Sequence, residues 1–332
     1  MSKTALIAVG GNSLIRAGEK GTVAEQMANA RRTAAAIVGV IRAGYRVVVT
    51  HGNGPQVGAQ LLRSERGSDQ VPSQTLDVCG AASQGEIGYL IAQSLRLELA
   101  ASQMNVPVVA IITQTIVSRD DPAMKRPSKP IGPFYSRAEA EEKQRQFGWQ
   151  IVEDAARGYR RVVASPEPVE IAEYPIIRLL VDQGTLVIAC GGGGIPVVRN
   201  NGGIEGVEAV IDKDRASALL ASELGVELFI ISTDADSVYL DYKKPTQRRI
   251  ARATVADMER YYAEGQFPPG NMGPKVESAL RFLKNGGREV IITSYEHLSE
   301  AVAGIAGTHI SPNENSDSEL ATSCGAGLRN AS

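Results

Sequence analysis

The chain has 332 residues, 43% of them hydrophobic and 22% charged, which suits one large α/β domain or two modest ones with a real core. Cys79, Cys190 and Cys324 are odd in number, far apart and without a C-x-x-C pair, so neither a disulfide framework nor a zinc site is indicated and a reducing cytoplasm fits best. The formal charge is -2 and the basic doublets Arg31-Arg32, Arg160-Arg161, Lys243-Lys244 and Arg248-Arg249 are scattered, so no nucleic acid partner is expected.

The first apolar run, Ala5-Leu6-Ile7-Ala8-Val9, predicts a strand. It is too short for a signal-peptide core, and no later apolar stretch is long enough to span a bilayer; the protein reads as unexported, with no membrane association. Gly10-Gly11-Asn12-Ser13 follows, then apolar residues at Val23, Met27, Ala30, Ala34, Ile37, Val38 and Ile41, a helical spacing that Gly44 ends. Tyr45 to Thr50 predicts a second strand, leading at once into His51-Gly52-Asn53-Gly54-Pro55. A right-handed crossover in this β-α-β unit makes the two strands parallel. Both glycine loops then lie at the carboxyl edge of the sheet, where open α/β sheets bind ligands. A helix over roughly Ser83 to Ala101 and a strand Val106 to Ile112 extend the pattern.

Between Arg119 and Tyr135 the prolines Pro122, Pro127, Pro130 and Pro133 exclude regular helix and central strand. This segment reads as an insertion or lid, about 119–170, with a polar helix near Arg137 to Gln146 and a strand Arg160 to Ala164. A helix near Pro175 to Gln183 leads back to the main sheet. The second half repeats the alternation: strands Thr185 to Cys190, Glu227 to Ile231 and Glu289 to Thr293, with helices near Arg215 to Leu224 and Pro274 to Lys284. The expected division is 1–183, 184–310 and a polar Ser-, Asn- and Gly-rich tail, 311–332, expected to be disordered.

Four loops that follow strands are rich in glycine or small polar residues: Gly10 to Ser13, Gly52 to Gly58, Gly191 to Gly194, and Thr233-Asp234-Ala235-Asp236. Such loops let backbone N–H groups approach an anion, and a following helix N-terminus adds partial positive charge. Any one of them also serves as a tight turn; four in succession favour anion binding. The P-loop pattern is absent, Gly52-x-Gly54-x-x-x-Gly58 is one residue too long for the dinucleotide fingerprint, and the protein-kinase sequences are missing.

Phosphoryl transfer needs cations on the equatorial and bridging oxygens and donors that align attacker and leaving group. Lys213, in Ile211-Asp212-Lys213-Asp214, and Lys275, in Asn271-Met272-Gly273-Pro274-Lys275, each stand at an expected helix start, and Lys129 sits among stiff prolines. A solvated surface charge is the alternative for each lysine. Asp214 is either an orienting partner for a lysine, an aid to a Mg-nucleotide, or an ordinary N-cap. His51, His297 and His309 lack metal-ligand spacing, and His51 reads as a hydrogen-bonded structural histidine; Cys79 and Cys190 read as small buried residues, and no metal-binding residues are expected.

At these residues the chain resembles carbamate kinase, a member of the amino-acid kinase fold family. The matching segments are Ala8 to Ser13, His51 to Gly58, Asp77 to Ala81, Lys129 to Tyr135, Gly158 to Val163, Cys190 to Pro196, Val210 to Asp214 and Met272 to Val276. The resemblance covers about Lys3 to His309. It implies a three-layer α/β/α sandwich with a mainly parallel central sheet and a small protruding lid, an N-terminal half binding carbamate or carbamoyl phosphate, a C-terminal half binding ATP or ADP, and a homodimer.

Carried over residue by residue, the resemblance places Gly10, Gly11, Asn12, Ser13, Gly52, Asn53, Gly54, Gly191 and Gly192 around carbamate or the transferring phosphoryl group. Lys129, Lys213 and Lys275 would neutralise it and Asp214 would organise lysines, while the nucleotide would lie against Lys213, Asp234, Ala235, Asp236, Tyr239, Met272 and Lys275. Mg²⁺ is expected with the nucleotide, as Mg-ATP or Mg-ADP. Sibling acetylglutamate kinases carry a lysine where this chain has Ala8, and a lid lysine, here Lys129, would take its place. The rival expectations are another kinase of the same fold with a larger acceptor, and a nucleotide-binding regulator without turnover.

Overall fold

The computed structural model describes residues 3–10, 13–16, 18–153, 158–268 and 270–312. Gly11 and Asn12, the tail beyond 312 and Cys324 therefore lie outside the described residues.

In chain order the first part runs β1 (Lys3–Val9), α1 (Val23–Arg42), β2 (Tyr45–His51), α2 (Gly54–Arg66), α3 (Leu76–Ala101), β3 (Val108–Ala110) and β4 (Gln114–Ile116). There follow β5 (Lys129–Tyr135), α4 (Arg137–Phe147), β6 (Gln150–Glu153), β7 (Tyr159–Val163), β8 (Glu170–Ile171) and α5 (Tyr174–Asp182). The remainder is β9 (Leu186–Ile188), β10 (Ile195–Asn200), β11 (Gly203–Gly206), α6 (Lys213–Leu224), β12 (Leu228–Thr233), β13 (Val238–Leu240), β14 (Arg248–Ile250) and β15 (Arg252–Thr254), then α7 (Val255–Ala263), α8 (Met272–Lys284), β16 (Glu289–Ser294), α9 (Leu298–Val302) and β17 (Thr308–Ser311).

Eight strands form the central sheet in the order β15-β17-β16-β12-β1-β2-β9-β3, parallel throughout except for the antiparallel pair β16/β17. Residues 5 to 9 of β1 are wholly buried, because alternate side chains enter two different cores. Leu6 and Ala8 join Phe229, Ile231 and the apolar faces of α5, α6 and α8. Ala5, Ile7 and Val9 join Ile37, Ile91 and Leu298 from α1, α3 and α9. Helices on both faces make the three-layer sandwich, and they explain why these strands read as unbroken apolar runs.

The insertion builds its own antiparallel sheet, β5-β7-β6, with α4 capped by Ser136 and Glu139. Pro130 and Pro133 lie in β5, an edge strand, where a missing N–H is tolerated. A second small sheet, β11-β10-β4-β8, stands beside the main one.

Several expectations need adjustment. The Gly52 to Gly58 segment is not all loop, because α2 starts at Gly54 with Pro55 in its first turn. Helix α3 begins at Leu76 instead of Ser83: Leu76 and Cys79 pack with Val57, Ile131 and Val163 under the lid, away from the main cores, so the apolar stripe changes direction there. The strand expected from Val106 shrinks to Val108–Ala110 after Pro107, which has no N–H to give. Helix α8 starts at Met272, two residues before Pro274, and Ser311, placed in the tail by sequence, closes β17.

Candidate active site

Strands β1 and β2 end side by side, and the Gly52 N–H donates to the Val9 carbonyl at 3.0 Å, which ties the two glycine loops together at the carboxyl edge of the sheet. His51 is buried at the end of β2; its Nδ1 faces the Gly52 carbonyl at 3.0 Å, and burial pushes its pKa down to about 4, so it is a neutral structural residue. The Gly191–Gly193 turn passes so close that a Cβ on Gly191 would lie 2.5 Å from the His51 ring. The Cys190 thiol is wholly buried, and its pKa is pushed up by that burial.

Helices α6 and α8 bring the cations. Asp212 is the N-cap of α6, accepting from the N–H groups of Asp214 and Arg215, and this places Lys213 in the first turn. The Lys213 ammonium lies 3.3 Å from the Val9 carbonyl oxygen and 3.5 Å from that of Ala8, so a cation does sit at the end of β1, supplied from α6. Asp214 is buried between two lysines: one carboxylate oxygen is 2.9 Å from Lys213 Nζ and the other 2.9 Å from Lys275 Nζ. Across the cleft, Lys129 Nζ on the lid strand β5 donates to Asp212 at 2.8 Å.

Burial works against the charges of Asp214, Lys213 and Lys275, and the pairing decides the outcome. Asp214 stays well below the usual carboxylate range because two ammonium groups outweigh its burial. For Lys275, burial is outweighed by Asp214 and its hydrogen bond, with Asp212 and Asp234 adding, and the ammonium is held above its ordinary value. Lys213 goes the other way: burial, with Lys275 nearby, pulls it below the ordinary lysine value despite Asp214.

These groups line one cleft of about 740 Å³ between the sheet edge and the lid. Of the sequence-derived candidates, Gly52, Asn53, Gly54, Lys129, Gly192, Lys213, Asp214 and Lys275 meet there. Gly10 and Ser13 form the turn after β1, with the Ser13 N–H on the Gly10 carbonyl at 3.1 Å, and Gly191 is buried behind the cleft. Asp234, Ala235, Asp236 and Tyr239 follow β12 outside that lining, with Asp234 near enough for its charge to act on Lys275; the Tyr239 hydroxyl donates to Asp236 at 3.0 Å, and Met272 packs toward the core from the first turn of α8.

Sequence reasoning gave no role to three charged residues of the lining, Arg160, Asp212 and Arg215. Arg215 pairs with Glu167, and with Glu277 at 3.1 Å, and Arg281 closes the network on Glu167 at 2.6 Å. That network fixes α6 against α8, the helices that carry the two buried lysines. Asp212 had a legible signal, an Asp directly before a helix-starting lysine.

A second cavity, of about 500 Å³, lies beyond Ile131 between α2 and the lid. Its charged groups are already paired, Arg161 with Glu208 and Glu65 with Lys143 of α4, and Arg161 also stacks on Trp149 at 4.5 Å. The lysine cleft is therefore the candidate active site. Among the described residues no helix is long and apolar enough to cross a membrane.

Comparison with known proteins gives the family and the fold. The profile of the Amino acid kinase family matches residues 3–294. The carbamate kinase of Thermococcus kodakarensis is 48% identical over 93% of this chain and 99% of its own length, and that of Pyrococcus horikoshii is 48% identical over 94% and 100%. Carbamate kinase from Giardia lamblia bound to AMP-PNP superposes with a TM-score of 0.89 at 41% identity, over 93% of this chain and 98% of that one. The fold extends to an N-acetylglutamate synthase from Neisseria gonorrhoeae, at a TM-score of 0.54 and 15% identity. The chain belongs to the amino acid kinase family, as a phosphotransferase of the carbamate kinase type.

Proposed function

We propose that this protein transfers a phosphoryl group reversibly between ATP and carbamate, giving ADP and carbamoyl phosphate. The observation that carries the proposal is the pair of buried lysines bridged by Asp214, facing Lys129 across one cleft. Three ammonium groups around a glycine-lined space suit an acceptor and a phosphoryl group that are both anionic.

Carbamate is a resonance-stabilised oxyanion, so one of its oxygens attacks the γ-phosphorus without a general base. As that O–P bond forms, the bond to the β,γ-bridging oxygen breaks and its electron pair leaves on ADP. Lys213 and Lys275 stabilise charge on the transferring group and the leaving oxygen from the nucleotide side. Lys129 leaves Asp212 to meet the phosphoryl group as the lid closes. Mg²⁺ would come with the nucleotide and would offset charge on its phosphates. The cleft carboxylates Asp212 and Asp214 are already committed to lysines, an arrangement that holds cations of the protein's own in place of a resident metal.

Following the resemblance, the physiological direction is ATP synthesis from carbamoyl phosphate in the cytoplasm, during breakdown of arginine or related nitrogen compounds. A homodimer is supported by apolar side chains exposed around the β3 edge, namely Tyr89 on α3, Ile112 after β3, and Ile176 and Leu179 on α5. The test is to mix the protein with ADP, Mg²⁺ and carbamoyl phosphate and follow ATP, with acetylglutamate plus ATP and UMP plus ATP in parallel. ATP from carbamoyl phosphate alone supports the reading; no ATP overturns it.

A further inference from the structure

We propose that Ser83 sets the acceptor specificity of the site by locking the Asn53 side chain with its carbonyl oxygen toward the cleft, where it accepts from the amino group of carbamate. This rests on the carbamate reading above and adds an atom-level reason for it.

Asn53 is the N-cap of α2, a place where an asparagine oxygen ordinarily accepts from the helix's own N–H groups, yet its side chain makes no capping bond. Its amide nitrogen instead donates to Ser83 Oγ at 2.8 Å. Ser83 is wholly buried on α3, and its one proton is given to the Gly80 carbonyl at 2.6 Å. Toward Asn53 that hydroxyl can only accept. Turning the amide over would set two acceptors against each other, so the order of donors fixes which end of Asn53 faces Ser83.

Gly192 fixes the amide from its other side. A Cβ there would fall 2.2 Å from the amide nitrogen and 2.4 Å from the oxygen, so only glycine lets the amide lie against this turn. The Asn53 oxygen is left without a hydrogen-bond donor among the described residues, in a cleft otherwise furnished with the ammonium groups of Lys129, Lys213 and Lys275. An acceptor in that position repels phosphoryl and carboxylate oxygens and suits an N–H. Carbamate and carbamoyl phosphate carry such a group on the carbon that bears the reacting oxygen; acetate and acetyl phosphate have a methyl of similar size there. A site built to hydrogen-bond one substrate group discriminates against the analogue that lacks it.

The experiment compares kcat/KM for carbamoyl phosphate and for acetyl phosphate, each with ADP, in the unaltered protein, Ser83→Ala, Ser83→Thr and Asn53→Ala. In Ser83→Ala the preference for carbamoyl phosphate should fall about tenfold, through the carbamoyl phosphate arm, with the KM for ADP unchanged. Ser83→Thr, which keeps the hydroxyl, should restore it. Asn53→Ala should lower the preference at least as far, and adding Ser83→Ala to it should change nothing more, an arm that holds even if the single serine variant folds poorly. An unchanged preference in Ser83→Ala or Asn53→Ala overturns the proposal. So does an equal loss with both phosphoryl donors, which would make Ser83 merely structural, or a shift in Mg²⁺ dependence, which would give the Asn53 oxygen to the metal. Absence of ATP from carbamoyl phosphate in the unaltered protein would overturn the functional reading itself, and this inference with it.

Discussion

Lys275 on α8 meets Asp214 on α6 at 2.9 Å, and the same carboxylate holds Lys213 at 2.9 Å through its other oxygen. Asp214 thereby favours the charged form of two ammonium groups in a place where burial works against it. Replacing Asp214 with Ala leaves two like charges side by side without compensation. The expected result is a loss of about 3 kcal/mol of folding stability, by denaturant unfolding, together with at least a hundredfold fall in kcat. Lys213→Ala and Lys275→Ala should each lower kcat by about a hundredfold or more, and the double variant should lose much less than the product, because the three residues act as a unit. Near wild-type turnover in either single variant would remove the lysine from the chemistry.

Lys129 should behave differently. Its side chain is 42% exposed and its partner Asp212 is also held by backbone N–H groups of α6, so the pair adds only about 0–1 kcal/mol to stability. Lys129→Ala is expected to melt close to the unaltered protein and yet to lose turnover. Parallel melting curves and steady-state kinetics separate the two effects, and unchanged kcat and KM would leave Lys129 as a surface charge.

The depressed pKa of Lys213 predicts an alkaline limb in activity. The ammonium form carries the charge that transfer needs, so activity is full at low pH and lost as pH rises through the Lys213 pKa, which burial sets below the ordinary 10.5. A profile of kcat/KM for ADP against pH reads the free enzyme. Lys213→Arg should move the limb out of the accessible range; a limb that stays in place would assign it to another group.

How legible this site was depended on the kind of signal. The strands β1, β2, β12 and β16 were readable because both faces are buried, which writes them as unbroken apolar runs. Lys213 and Lys275 stood out through their places at helix starts. Their union on Asp214 came only through the family resemblance and not from spacing, since 61 positions separate Lys275 from that carboxylate. Helix α2 was hidden for a local reason: only Gln56 and Val57 are buried, so it has no apolar stripe, and Gly54 and Pro55 at its start mimic a turn. The bond from Asn53 to Ser83, 30 positions apart, belongs to the same class of long-range contact. The strands of the small sheets, some of two or three residues, are too short to show any period.

His51 supplies a test of the fold at the same sheet edge. It is 2% exposed, and burial, with the nearby Lys213 charge adding, sets its pKa at about 4 against 6.5 in an unfolded chain, although the Gly52 carbonyl opposes the shift. Between those values the unfolded chain binds a proton that the folded protein refuses. The associated stability is therefore complete above pH 6.5 and falls as the pH drops toward 4. At about 1.4 kcal/mol per pKa unit, His51 alone should cost ~2.5 kcal/mol on going from pH ~7.5 to pH ~4.5. Urea unfolding of the unaltered protein and His51→Gln at both pH values isolates that share, because carboxylates elsewhere contribute equally to each. The variant should lose correspondingly less on acidification; an identical loss in the two proteins would mean that the histidine is protonated within the fold and that the turn at Gly191 has room for its charge.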